Sequence, residues 1–89
     1  MTRIEPFMLD VAAADIAQAG ASPRHPITAA LERQTGNVWL MDGLYLREIE
    51  APHRTIILPL EVRPKLEHFR QTGEMLPFTC MAEVLIERV

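Results

Sequence analysis

The segment Asn37-Val38-Trp39-Leu40-Met41-Asp42-Gly43-Leu44-Tyr45-Leu46-Arg47-Glu48-Ile49 decides the fold. Two runs rich in apolar and β-forming residues flank Asp42-Gly43, a dipeptide that favours a two-residue hairpin loop because both turn positions need positive φ. With Asp42-Gly43 as the loop, Met41 pairs with Leu44, Leu40 with Tyr45 and Trp39 with Leu46. Directly opposed residues share a face, so Trp39, Met41, Leu44 and Leu46 form an apolar surface expected in the core. Val38, Leu40, Tyr45, Arg47 and Ile49 form a mixed second face, expected to be partly exposed. Glu48 and Glu50 lie two apart and are expected to solvate an exposed or edge strand.

Upstream of the hairpin, Pro26 to Thr35 reads as a helix. Proline suits the first helical position, and Gly36 supplies the C-terminal stop. Ile27, Ala30, Leu31 and Gln34 fall on one narrow stripe, with Thr28, Glu32 and Arg33 outside it. Ala12 to Ala19 is a short helix-permissive run ended by a loop, Gly20-Ala21-Ser22-Pro23. Ile4 to Val11 reads as a strand with Phe7, Leu9 and Val11 on one face. Pro6 removes a ladder donor and therefore places that strand at a sheet edge.

Downstream, Ala51-Pro52-His53-Arg54 reads as a turn and Thr55 to Leu58 as a short strand. A helix follows from Leu60 to Thr72, with Val62, Leu66 and Phe69 at helical spacing. Pro64 belongs in its first turn, and Gly73 closes it. Beyond Leu76-Pro77, residues Phe78, Cys80, Ala82, Val84 and Ile86 alternate in the manner of a strand, although good helix formers run from Met81 to Val89. The expected architecture is α+β: an antiparallel or mixed sheet of four or five strands, with the Pro26 and Glu61 helices on one face.

Composition bounds the function. The 89 residues form a single domain over 1–89, 48% of them hydrophobic, with a net charge of −3. A single cysteine, Cys80, excludes an internal disulfide framework and fits a cytoplasmic setting. No stretch approaches the ~20 apolar residues that span a bilayer, and Pro6 and Glu5 stand where a signal peptide needs an apolar run. Eight of the nine cationic residues are Arg, which suits either a GC-rich genome or a contact surface.

No catalytic or cofactor pattern emerges. His25, His53, His68 and Cys80 lack metal-ligand spacing, His25 being placed to cap the Pro26 helix or to face solvent. Cys80 falls on the apolar face of its strand, where a thiol behaves as a small hydrophobe. Ser22, the only serine, has no nucleophile-elbow glycines around it. A helix-turn-helix over Ala13 to Gly36 would require Pro26 inside the second helix or a connection longer than the usual turn. An acidic chain is also poorly suited to phosphate-driven binding. The one local charge bias lies between His53 and Arg70, where Arg54, Arg63, Lys65 and Arg70 outnumber Glu61 and Glu67. Such a run is either a solvated helix face or a patch for an acidic protein or a phosphate backbone.

Asp15-Ile16, His25-Pro26-Ile27 leading into Ala30-Leu31-x-Arg33, Leu58-Pro59, Phe69-x-x-x-Gly73 and Pro77-Phe78-Thr79 occur in an order that resembles a group of small bacteriophage and prophage proteins. In that group an acid-Ile pair precedes a Cys-Pro-Val/Ile-x-x-Ala-Leu-x-Arg helix start, then a Leu-Pro pair and a Pro-Phe. This chain departs from the pattern at His25, where many relatives carry cysteine, and at Ala12, in place of a capping Thr or Ser. The resemblance implies a mobile-element origin and an α+β fold, and it brings no catalytic residues with it.

The expected function is thus a non-catalytic module that binds a host or phage protein, for example an inhibitor of a host defence system of the anti-CRISPR kind. Its docking face is expected to carry Arg54, Arg63, Lys65, Glu67 and Arg70, aided by Leu40 and Tyr45. A small nucleic-acid-binding regulator and a homo-oligomeric assembly protein paired through a strand edge are the alternatives; no cofactor and no membrane association are expected.

Overall fold

The computed structural model describes residues 2–21, 25–50 and 53–87. Five strands form one antiparallel sheet: β1 (Thr2–Val11), β2 (Trp39–Asp42), β3 (Tyr45–Glu48), β4 (Thr55–Ile57) and β5 (Phe78–Glu87). Their spatial order is β1-β5-β4-β3-β2, so the last strand in the chain lies between the first and the fourth. Three helices, α1 (Ala13–Ala21), α2 (Pro26–Thr35) and α3 (Arg63–Thr72), complete the α+β fold, with a 3₁₀ turn over Leu60–Val62 leading into α3. The helices lie on one face of the sheet. There Leu9, Val11, Leu46, Ile56 and Val84 from the strands meet Ile27, Ala30 and Leu31 from α2.

Strand β1 occupies an edge, as Pro6 requires. The outward polar groups belong to its even-numbered residues: the Gln34 side-chain amide donates to the Met8 carbonyl at 3.0 Å and accepts from the Asp10 N–H at 2.9 Å. Pro6 has the same parity, so its missing donor falls on the free side and no ladder bond is lost. Gln34 was expected on the apolar stripe of α2. Instead it is exposed and acts as a surrogate strand for the end of β1, with Arg33 Nη2 donating to the Asp10 carbonyl beside it.

Helix α2 has the expected bounds, but the narrow apolar seam does not hold. Every residue from Pro26 to Leu31 is buried, Thr28 included. Packed against both α1 and the sheet, the first half of α2 has no solvent side. The threonine hydroxyl meets its polar requirement locally, donating to the His25 carbonyl at 2.8 Å. His25 is the N-cap, its Nδ1 accepting from the Ile27 N–H at 3.1 Å. At the other end, Gly36 has φ +76° and donates to the Glu32 carbonyl at 2.8 Å. A β-carbon at Gly36 would touch nothing within 4 Å, which leaves backbone strain as the whole cost of adding one. Gly36→Ala is therefore expected to lower stability by about 1 kcal/mol in urea denaturation, and Gly36→Asn by less, because asparagine tolerates the left-handed region.

The hairpin register differs from the expected one. Asp42 pairs with Tyr45, Met41 with Leu46, Leu40 with Arg47 and Trp39 with Glu48. The loop is Gly43-Leu44: only Gly43 has positive φ (+61°), which suits a turn with glycine at its first central position. The shift is by two residues, an even number, so every side chain keeps its face. Trp39 and Leu46 remain buried, and Leu40, Tyr45 and Arg47 remain exposed. Leu44 becomes a turn residue that still packs on the core from the hairpin tip.

The new register sets Glu48 opposite Trp39, and the face it shares with Leu46 is buried, which overturns its expected role as a solvating residue. Its carboxylate accepts from Arg54 Nε at 3.0 Å, from Arg54 Nη2 at 2.8 Å, from the Arg54 N–H at 3.0 Å and from the Asn37 side-chain amide. Arg54 also lies over the Trp39 ring, 5.6 Å from its centroid. Glu50, by contrast, is exposed beyond the end of β3. The Ala51-Pro52 and Ser22-Pro23 portions of the expected turns lie outside the described residues, whereas Gly20 and Ala21 belong to α1.

A second buried carboxylate joins the other end of the molecule. Asp15, 1% exposed, accepts from the Ala12 N–H at 2.8 Å, which closes the start of α1 as the acidic half of a capping box does. It also takes both Arg33 Nε (2.9 Å) and Nη2 (3.0 Å). The acid of Asp15-Ile16 and the arginine of Ala30-Leu31-x-Arg33 are thus one ion pair that ties α1 to α2.

Candidate docking surface

Helix α3 carries most of the charged residues singled out in the sequence. Val62, at the end of the 3₁₀ turn, is fully buried and anchors its start, and Pro64 lies in its first turn. Beyond that anchor, α3 buries no residue completely. Only Leu66 and Phe69 are half-buried against the core. Gly73, with φ +75°, ends the helix by donating to the Phe69 carbonyl at 2.7 Å.

A helix seated on two side chains leaves a furrow on each flank. Between α3 and the hairpin tip runs a groove of about 520 Å³ with an apolar floor of Met41, Leu44, Leu66 and Phe69. Arg63, Glu67 and Arg70 form its rim on the α3 side, and His25 closes one end. The His25 ring stands edge-on to Phe69, with centroids 4.8 Å apart, and burial holds its pKa below the ordinary histidine value. On the opposite flank, a furrow of about 690 Å³ runs past Ile16, Lys65, His68 and Leu76. A third depression, about 580 Å³, joins Arg63 to Tyr45, Ile57 and Leu60.

The structure brings some of the expected docking residues together and separates others. Arg63, Glu67 and Arg70 share the hairpin groove, and Arg63 also reaches the depression that contains Tyr45. Lys65 lies on the other flank, its ammonium 5.0 Å from the centroid of the Phe78 ring. Arg54 is held in the Glu48 latch with 28% of its side chain exposed. Leu40 is on the far face of the sheet, away from α3. His25, Met41, Leu44 and Phe69 were not anticipated as groove residues. For the apolar three the only signal was hydrophobic patterning, which cannot separate a core position from a groove floor, and for His25 it was its place before the Pro26 helix.

The rim charges are unequal in consequence. Glu67 and Arg70 pair with each other one helical turn apart, which lowers the carboxyl pKa and raises that of the guanidinium. Among the described residues Arg63 has no ion-pair partner, so it is the groove's uncompensated cation. Cys80 is buried on β5, and its thiol pKa is raised, first by burial and then by Glu61, with Lys65 opposing. A thiol so placed is a poor nucleophile. Among the described residues no group of three or more His, Cys, Asp and Glu stands close enough to hold a metal ion, and no helix is long and apolar enough to cross a membrane.

The N-terminal half of α2, which a helix-turn-helix would present to a DNA groove, is buried against the rest of the fold. No protein-family model, no curated protein and no solved structure matches the chain.

Proposed function

We propose that this chain is a non-catalytic protein-binding module that docks an acidic segment of its partner along the groove between α3 and the hairpin tip. The observation that carries the reading is Arg63: a cation without an ion-pair partner among the described residues, set where two apolar-lined depressions meet. Such a site offers a buried apolar contact with a charged residue at its edge, the arrangement in which arginine anchors contribute most to binding. The resemblance to phage and prophage proteins supplies the setting, a mobile-element product that acts in the cytoplasm on a host system such as an anti-phage defence. Lys65 and Arg54 take no part in the contact.

The test begins with capture of partners by the tagged protein from host lysate and proceeds to titration of the stoichiometric partner. Arg63→Glu is expected to weaken that binding by at least about tenfold, and Arg63→Glu with Arg70→Glu to abolish it. Unchanged affinity in the double variant would place the contact elsewhere. A partner that proves to be nucleic acid, with affinity falling steeply as salt rises, would replace this reading with a regulatory one.

A further inference from the structure

The sheet has a second face, and none of the three described helices covers it. Cross-strand partners share a face, so the registers place Ile4, Met8, Met81, Ile57, Tyr45 and Leu40 together on the side away from the core. All but Ile57 are more than half exposed. Antiparallel sheets commonly leave one face in water, but that face is then polar. Here large apolar side chains run from one edge strand to the other.

We propose that this face is the contact between two copies of the chain, stacked sheet on sheet. This inference does not rest on the α3 groove, although Tyr45 and Ile57 belong both to this face and to the depression beside Arg63. Three observations select a second copy as the occupant. The first is charge. Arg47 on β3 and Glu83 on β5 flank the central strand β4, one strand to each side and two residues out of step. A two-fold axis passing over β4 brings each Arg47 to its counterpart's Glu83, two equivalent ion pairs from one cation and one anion. That is the reciprocity an isologous interface requires, and the side-chain reach of arginine covers the two-residue offset. A strongly acidic or basic partner would meet one of these two residues as a like charge.

The second observation is size. Strand spacing and rise give the face a projected area of about 500 Å². A two-fold contact counts that area twice, about 1000 Å² in total, the size of a weak but specific interface. The third is the state of the edges. Gln34, Arg33 and Pro6 occupy or blank the free side of β1, and β2 is only four residues long. Pairing through a strand edge is therefore the weaker route to self-association, and stacking of faces the stronger.

Sedimentation velocity on the whole chain from about 10 to 500 µM tests this, a range that spans the dissociation constants of modest interfaces. The wild-type chain is expected to shift from monomer to dimer within it. Met81→Glu, at an exposed position, should raise the dimer dissociation constant at least about tenfold. Arg47→Glu should weaken the dimer, and Arg47→Glu combined with Glu83→Arg should restore it. That charge exchange decides the matter even if Met81→Glu fails to fold by circular dichroism. A wild-type chain that stays monomeric throughout overturns the proposal, as does a dimer indifferent to Met81→Glu and to Arg47→Glu. Arg70→Glu, in the hairpin groove and apart from Tyr45 and Ile57, should leave the dimer intact, which separates this surface from the α3 groove.

Discussion

Glu48→Ala is expected to lower the unfolding free energy by about 3 kcal/mol at neutral pH. The side chain of Glu48 has no exposed surface and receives four donors, three of them from Arg54. Removing it leaves the Arg54 guanidinium partly buried over Trp39 without its counter-charge, the circumstance in which a broken buried pair costs about 3–5 kcal/mol. Partial exposure of Arg54 puts the expected value at the lower end. The electrostatics of the carboxyl point the same way. The Glu48 pKa falls from 4.5 to about 2, first through the Arg54 side-chain bonds, with burial opposing and the Arg54 N–H and Asn37 assisting. A carboxyl whose folded pKa is depressed contributes stability that is complete above its unfolded value and is lost as pH falls. The Glu48 contribution should therefore be intact above about pH 5 and largely gone near pH 2. Urea denaturation across that range should show the wild-type chain and Glu48→Ala converging as the acid limit is approached. Parallel curves would show that the latch contributes nothing as an ion pair.

Asp15→Ala is expected to cost about 2 kcal/mol, with Asp15→Asn costing about half as much. Two functions of one carboxylate are lost together in the alanine variant: the cap on the Ala12 N–H and the fork to Arg33. Loss of an N-terminal cap alone costs about 1 kcal/mol. The asparagine oxygen can still accept from the Ala12 N–H but cannot hold the charge of Arg33. The Asp15 pKa lies below the ordinary carboxylate value, chiefly because of the Arg33 side-chain bonds. Equal midpoints for Asp15→Asn and wild type would assign the whole effect to the cap. Equal midpoints for Asp15→Asn and Asp15→Ala would assign it to the ion pair.

These two carboxylates also mark where the fold stopped being legible in the sequence. The bounds of α2 were legible because Pro26 and Gly36 act locally, through a preset φ and a left-handed stop. The edge position of β1 was legible for the same kind of reason, since Pro6 alone removes a donor. Alternation from Phe78 to Ile86 identified β5 in spite of helix-forming residues within it. In the hairpin, parity was legible and register was not. Asp42-Gly43 is compatible with a loop at either of two positions, and the residue that benefits from the observed one is Glu48. An acid opposite a tryptophan reads as solvent-facing until its partner is known, and that partner, Arg54, lies beyond the next turn.

The candidate groove was legible in one respect. Arg63, Glu67 and Arg70 follow helical spacing, and so they share a side of α3. Lys65 does not keep that spacing and falls on the opposite flank. The rest of the groove comes from the hairpin tip and from His25, elements remote in sequence whose approach to α3 depends on how the sheet and helices stack. No local pattern encodes that approach.

The place of β5 between β1 and β4 has a consequence for the order in which the molecule can assemble. Ten residues of β1 pair with ten of β5, at opposite ends of the chain. During synthesis the first strand emerges without a neighbour, and β4, β3 and β2 can form only a three-stranded meander whose open side awaits the same missing strand. Contacts of such long sequence separation carry their loop-closure entropy before they return any stabilisation, which slows folding. Leu9 and Val11 on one part, and Leu46 and Ile56 on the other, share one core only once β5 lies between them. Pairing of β5 is therefore the closing step of the sheet, and a chain truncated before Phe78 leaves β1 and the β2–β4 meander as separate pieces of sheet.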